Sequence, residues 1–171
     1  MFDINLLDLS DSLFPQSLKL ISDCPRILYY CGNLTSESFG KCVAVVDTRR
    51  MSLYGRRVTQ KIVQELICSG NYSLVSGFMY GIDTTAHETA VNCCGKTIAV
   101  LSCGLNDSLI ENNSDLAEKI LQNGGLLISE FEPDFPAKIW TFPKRNRIIA
   151  AVGSGVVITE ATLDSGSLIT C

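Results

Sequence analysis

The sequence predicts an α/β fold, a doubly wound and mostly parallel sheet with helices on both faces. From residue 41 onward, short β-branched runs alternate with segments of helical periodicity, as strands and crossover helices do in such a sheet. Capping residues and glycines punctuate the alternation at the places where helices must start and stop. At 171 residues, with 46% of them hydrophobic, the chain is long enough for one sizeable core.

In chain order, "CVAVVDT" reads as the first buried strand. In "RRVTQKIVQELICSG", Val58, Ile62, Val63, Leu66 and Ile67 keep helical spacing, and Gly70 is placed to stop the helix. "YSLVSG" is the second strand, followed by the helix "IDTTAHETAVNCCG" with Asp83 as its expected N-cap. "KTIAVLSCG" is the third strand. "NSDLAEKILQNGG" is a helix with acids in its first turn and glycines at its end. "LLISEF" is the fourth strand, "PKRNRIIAAVGS" a helix and "GVVITEA" the fifth strand. "TLDSGSLITC" then opens another helix too short to cover a sheet face, so the C-terminal part of the fold is expected to be truncated. Residues 1–40 lack the alternation and are expected to form an extension, a small helix plus an extended segment packed on the sheet. Residues 41–171 are expected to form the main domain.

A charged fraction of 19% without low-complexity tracts excludes disordered, collagen-like and coiled-coil classes. The N-terminus has no basic n-region, and no apolar run reaches the roughly 18 residues needed to span a bilayer, so a cytoplasmic protein with no membrane association is expected. Eight cysteines without C-x-x-C spacing, several inside apolar runs, read as buried free thiols rather than a disulfide framework. The single histidine, His87, has no cysteine within three residues, so neither a metal site nor a cofactor is expected. Asp83 lies four residues before His87, but no nucleophile motif accompanies the pair, and a structural hydrogen bond is the reading for the imidazole.

The net charge of −4 hides two cationic segments. Residues 41–61 hold Lys41, Arg49, Arg50, Arg56, Arg57 and Lys61 against Asp47 alone, and residues 138–147 hold Lys138, Lys144, Arg145 and Arg147 against no acid. If the segments meet in space, they focus a positive field that attracts polyanions. Ligands of open α/β sheets bind beyond the carboxyl ends of the strands. The segments there are Asp47 to Arg50, Ser76 to Gly81 (opening on Ser76 and Gly77), Ser102 to Asn106 (with Gly104), Glu130 to Pro133 and Glu160 to Ser167.

Ser165, Gly166 and Ser167 stand where a helix should begin and form either an anion cradle or a simple cap. Arg49 and Arg50 follow the first strand on the same edge and suit bidentate phosphate contacts. "KRNR" is expected on the loop and first turn of the helix before the fifth strand, where cations oppose the helix dipole. That placement points to a ligand, the alternative being a basic face paired with neighbouring acids, and Asn146 is read as the helix cap or a contact. Trp140, beside Phe142, offers either a stacking face for bases or a packing contact with the sheet, and packing is preferred. Neither a dinucleotide fingerprint nor a P-loop is present.

"FPKRNRIIAAVGSGVVITEATLDSGSLIT" resembles the central signature of the DNA-processing protein A family (DprA, also called Smf). "VVDTRRMSLYG", "LVSGFMYGIDTTAHETAV" and "GKTIAVLSCGLN" resemble its other signatures in the same order, and "FPQSLKLISDCPRILYYCGNL" is similar to its leading segment. The resemblance implies a Rossmann-like fold and a single-stranded DNA-binding recombination mediator of natural transformation that hands DNA to the RecA recombinase. It implies a homodimer and no catalysis. It carries the DNA-backbone pocket onto Arg49, Lys144, Arg145, Arg147 and Ser165 to Ser167.

Two departures are visible: Asp47 replaces a usual glycine, and "NDSLIENNSDL" is acidic where relatives often carry a cation. Two other functions compete. A nucleoside-monophosphate phosphoribohydrolase would need a catalytic acid where Thr170 stands, with Glu160 the only near substitute and a structural role preferred for it. A scaffold would bind proteins through the basic face without DNA.

Overall fold

The computed structural model describes residues 3–46 and 51–160. Among these residues one sheet is built from β1 (Asn5–Asp8), β2 (Ile27–Gly32), β3 (Cys42–Val46), β4 (Ser73–Ser76), β5 (Thr97–Val100), β6 (Leu126–Ser129) and β7 (Val156–Ile158). The helices are α1 (Leu53–Gly70), α2 (Ile82–Asn92), α3 (Ser108–Glu111), α4 (Ser114–Gln122) and α5 (Thr141–Val152), with a 3-10 turn at Gln16–Leu20. The strand order is β1-β2-β6-β5-β4-β3-β7. β6, β5, β4, β3 and β7 run parallel, whereas β1 and β2 extend the sheet antiparallel beside β6.

The period of two along each strand divides the core between two faces. Ala44, Val46, Val75, Ile98, Val100, Leu126 and Ile128 pack with Ile148, Ile149 and Val152 of α5 and with Phe14 and Leu18. On the other face Val45 and Leu74 meet Val63 of α1 and Ile82, Ala86 and Ala90 of α2. Ala99 and Leu127 meet Leu116, Ala117 and Ile120 of α4 on that same side. The doubly wound expectation is therefore met, and the helices lie on both faces.

Local expectations need several corrections. The N-terminal region supplies β1 and β2 in register with β6, because Leu7, Leu28 and Cys31 are buried and Tyr29 and Tyr30 pack partly buried against the core. α1 runs through Gly70 and is closed by Asn71 at φ 52°, a left-handed position that asparagine tolerates. Its N-cap is Ser52, whose hydroxyl accepts from Gly55 N at 3.0 Å. Gly81, not Asp83, occupies the N-cap of α2. Of the cysteines, Cys31, Cys42 and Cys103 are buried as expected, but Cys68 and Cys94 are exposed because they sit at the ends of helices rather than inside strands.

Leu28 is 0% exposed on β2. Leu28→Ala is expected to lower the unfolding free energy by about 2–5 kcal/mol while urea unfolding stays a single transition. Far-ultraviolet circular dichroism and the fluorescence of the lone tryptophan, Trp140, should then report coincident midpoints. Separate transitions would show that the N-terminal strands are not part of the same cooperative unit.

Candidate nucleic-acid interface

The strand order reverses between β3 and β7, which places the switch point of the sheet there. The carboxyl ends of these strands lead into residues 47–50 and beyond residue 160. Arg49, Arg50, Ser165, Gly166 and Ser167 lie outside the described residues, as does Asp47. At this junction Glu160 Oε2 accepts from Ser52 N at 2.9 Å, and a Cβ on Gly55 would fall 2.1 Å from the same oxygen. The carboxylate thus sits at the positive end of α1.

Further along the same rim, β4 ends on Ser76, whose buried hydroxyl donates to Val45 O at 2.5 Å and lies 3.1 Å from Asp83 Oδ1. Asp83 Oδ2 accepts from Met79 N at 3.3 Å. Gly77 comes next, and a Cβ there would meet Asp83 Oδ2 at 2.2 Å and an Arg145 guanidinium nitrogen at 2.4 Å. Only glycine lets the carboxylate and the guanidinium close over this turn.

Gly104, after β5, has a similar role against backbone. An added Cβ would lie 2.1 Å from Glu132 O and 2.2 Å from Pro133 O. Gly104 N donates to Phe135 O at 2.8 Å, so this glycine seats the 132–135 loop rather than opening space for a ligand.

α5 begins at Thr141, with Trp140 as its N-cap and Pro143 inside the first turn, where its missing N–H is harmless. Lys144, Arg145, Asn146 and Arg147 therefore lie within the helix, not on the loop before it, and Asn146 is not its cap. The start of the helix is held by Thr141, whose hydroxyl accepts from Lys138 N at 3.1 Å and donates to Lys138 O at 2.7 Å.

The four cations divide by environment. Arg145 is 5% exposed, donates through Nη1 to Val100 O at the end of β5, and donates through Nε to Asn146 Oδ1 at 3.2 Å. Arg147 makes two 2.8 Å bonds to the oxygens of Glu130 and a 2.5 Å ion pair with Asp23. Burial works against its charge, but the bonds and charges of Glu130 and Asp23 prevail and raise its pKa. Lys144 Nζ lies 3.2 Å from Glu130 Oε2, with 43% of its side chain exposed against 7% for Glu130. Lys138 is exposed, its ammonium 5.0 Å from the Phe135 ring.

An aromatic shelf supports the two lysines. Phe131 and Phe135 stack at 4.9 Å, and Trp140 meets them edge-on at 5.9 and 6.1 Å. Lys144 Nζ sits 5.4 Å from Phe131 and 5.7 Å from Trp140, within cation–π range. Trp140 remains 50% exposed, so it is not buried against the sheet as preferred from sequence. The sequence reading missed Glu130 as the organiser of the cations and Phe131 and Phe135 as the shelf. The interleaving of Phe131, Phe135, Lys138, Trp140 and Lys144 was the available signal.

Among the described residues, no group of three or more His, Cys, Asp or Glu side chains is placed to hold a metal ion. No helix there is long and apolar enough to cross a membrane.

Fold and rim together define a class: a Rossmann-like α/β protein with lysines on an aromatic shelf beyond the carboxyl ends of its parallel strands. The chain belongs to the DNA recombination-mediator protein A family, whose sequence model matches residues 5–171. It is 42% identical over 161 residues to DNA processing protein DprA of Streptococcus pneumoniae, covering 94% of this chain and 56% of that protein. It is 35% identical over 167 residues to the Bacillus subtilis protein of the same name, covering 98% and 56%. To Protein Smf of Escherichia coli it is 38% identical over 167 residues, covering 97% of this chain and 44% of that protein. The chain spans about half the length of these curated relatives.

The solved structure of the pneumococcal protein superposes with a TM-score of 0.88 at 38% identity, over 99% of this chain and 58% of that one. A Helicobacter pylori structure, described for its single-stranded DNA binding mode, gives 0.85 at 31% identity, over 99% and 74%.

His87 is fully buried beneath the Gly77 turn. A carbonyl can only accept, so Nε2 donates to Gly77 O at 2.6 Å and Nδ1 takes the Thr97 hydroxyl proton at 2.7 Å. The hydrogen bond expected of this imidazole is therefore present. Burial is the main cause that pushes its pKa from 6.5 down to about 4, with the Gly77 carbonyl opposing and Arg145 adding. The unfolded chain then binds this proton first as pH falls. Its contribution is complete above pH 6.5 and is lost by about 3 kcal/mol on acidification to pH 4. Urea unfolding measured across that window should show the loss in the native chain and a correspondingly shallower pH dependence in His87→Gln.

Proposed function

We propose that the chain binds single-stranded DNA along the carboxyl rim of its sheet and acts as a recombination mediator of the natural-transformation type, delivering the strand to RecA. The observation that carries this reading is the rim itself. Lys138 and Lys144 are held outward on an aromatic shelf with Trp140 half exposed, a combination that meets backbone phosphates and base faces together. The family and the DNA-binding description of the Helicobacter relative support it. Arg145 and Arg147 serve as positioning residues that fix α5 on the sheet, and Arg49, Arg50, Ser165, Gly166 and Ser167 are assigned to the same phosphate path. The protein is read as cytoplasmic and as working as a homodimer.

No catalytic step is assigned. A glycosidic hydrolase would need a carboxylate at the switch point, and Glu160 is engaged with Ser52 at the start of α1. Release of free base from a panel of nucleotides would reverse this assignment.

Binding of an unstructured deoxythymidine oligonucleotide, followed by fluorescence anisotropy from low to moderate salt, tests the rim. Each phosphate neutralised on a single strand adds about 0.7 to the slope of log affinity against log salt. Lys138→Ala with Lys144→Ala is expected to reduce that slope by about 1.4. Trp140→Ala should weaken binding by about 1–3 kcal/mol with little change in slope. Unchanged binding in both variants would remove the rim from the DNA path.

A further inference from the structure

At the opposite end of the sheet, the amino ends of β3, β4 and β5 and the ends of α1 and α2 surround a cleft of about 650 Å³, lined in part by Lys41, Ile67, Cys93, Cys94 and Lys96. Two thiols, Cys93 and Cys94, lie on its wall, and a third, Cys68, follows the lining residue Ile67 in sequence. Cys68 is exposed on the last turn of α1, Cys93 caps the C-terminus of α2 and is partly buried, and Cys94 follows it exposed at φ 55°.

The two helix ends are in contact. A Cβ on Gly95 would fall 2.4 Å from Cγ2 of Ile67, the residue before Cys68. The loop is fixed from its other side by Asn123, whose Nδ2 donates to Gly95 O at 2.6 Å. Both thiols are free, and Cys68 lies close enough to Cys93 to act on its thiol.

We propose that Cys68 and Cys93 form a reversible dithiol–disulfide site that reacts with small disulfide oxidants of the glutathione class. The packing of the two helix ends supplies an accessible attacking sulfur, Cys68, and a resolving sulfur on the neighbouring helix end. Burial, reinforced by Cys68 and Cys94, raises the Cys93 pKa and keeps that thiol protonated until the second step.

In the first step the Cys68 thiolate attacks one sulfur of the oxidant, forming a mixed disulfide and expelling one thiolate. Cys93 then loses its proton and attacks the Cys68 sulfur, expelling the second. One S–S bond breaks in the oxidant and one forms in the protein. Two electrons and the two thiol protons leave with the oxidant as two small thiols. The product joins the ends of α1 and α2, which pack side by side over Val45 and Leu74.

The test uses oxidised glutathione on the purified chain, followed by alkylation, glutamyl endopeptidase digestion and mass spectrometry. Cleavage after Glu65, Glu88 and Glu111 places Cys68 on one peptide and Cys93 and Cys94, together with the buried Cys103, on the next. The expected product is these peptides cross-linked, lighter by two hydrogen atoms than their sum and separated by dithiothreitol. It should form in the native chain and in Cys94→Ser, and be absent from Cys68→Ser and Cys93→Ser. The oxidised native chain should melt roughly 5 °C or more above the reduced one. A stable glutathione adduct on Cys68 without the cross-link, or a cross-link that persists in Cys93→Ser, would overturn the assignment.

Discussion

The carboxylate of Glu130 holds the amino-terminal half of α5 against the sheet. Glu130 follows β6 directly, so the sheet fixes its place, and its side chain is 7% exposed. Both oxygens take guanidinium nitrogens of Arg147 at 2.8 Å, and Oε2 also faces Lys144 at 3.2 Å. Such a pair contributes little net stability against an apolar replacement. Deleting one partner is different, because it strands the other charge at a cost on the order of 3–5 kcal/mol. What the arrangement secures is the placement of α5, and through it the approach of the chain into β7 beside β3.

Helical phase then separates cations that are adjacent in sequence. Lys144 and Arg147 are three residues apart and share the side that faces Glu130. Arg145 falls on the buried side with Thr141, Ile148, Ile149 and Val152, and it reaches the carbonyl of Val100. One short run of like charge thus performs two tasks. Its buried member joins the helix to the middle of the sheet, over the turn that Gly77 keeps open, and its other members face the rim.

Much of the fold was legible because it rests on local signals. The β/α alternation, the apolar runs of β3 to β6 and the periodicity of α1 are each readable within a short window. β1 and β2 were not placed as sheet strands, since β1 turns only Leu7 inward and β2 buries Leu28 and Cys31 three positions apart, neither of them a period of two. At the site, residue types were legible and partners were not. Glu130 and Arg147 are 17 positions apart and Arg147 reaches Asp23 across 124, contacts created only by the assembled sheet. The burial of Arg145 follows from helix phase, three and four positions before Ile148 and Ile149. The meeting of Cys68 with Cys93 likewise arises from packing between α1 and α2, which no spacing rule in the sequence encodes.

The acid at the rim does not cancel the attraction that the lysines exert. Glu130 lies beneath Lys144, 7% against 43% exposed, so an approaching phosphate meets the ammonium first. Coulomb energy falls with distance and with solvent between the charges, which favours the nearer cation. The positive end of the α5 dipole points toward the same rim and adds to the field there. Glu130, Phe131 and Trp140 also hold the Lys144 amine on three sides, so little of its rotamer freedom remains to be lost when an anion arrives. The carboxylate therefore weakens the charge seen at the surface while lowering the entropy of organising it, and an acidic chain can keep a small, rigid cationic face.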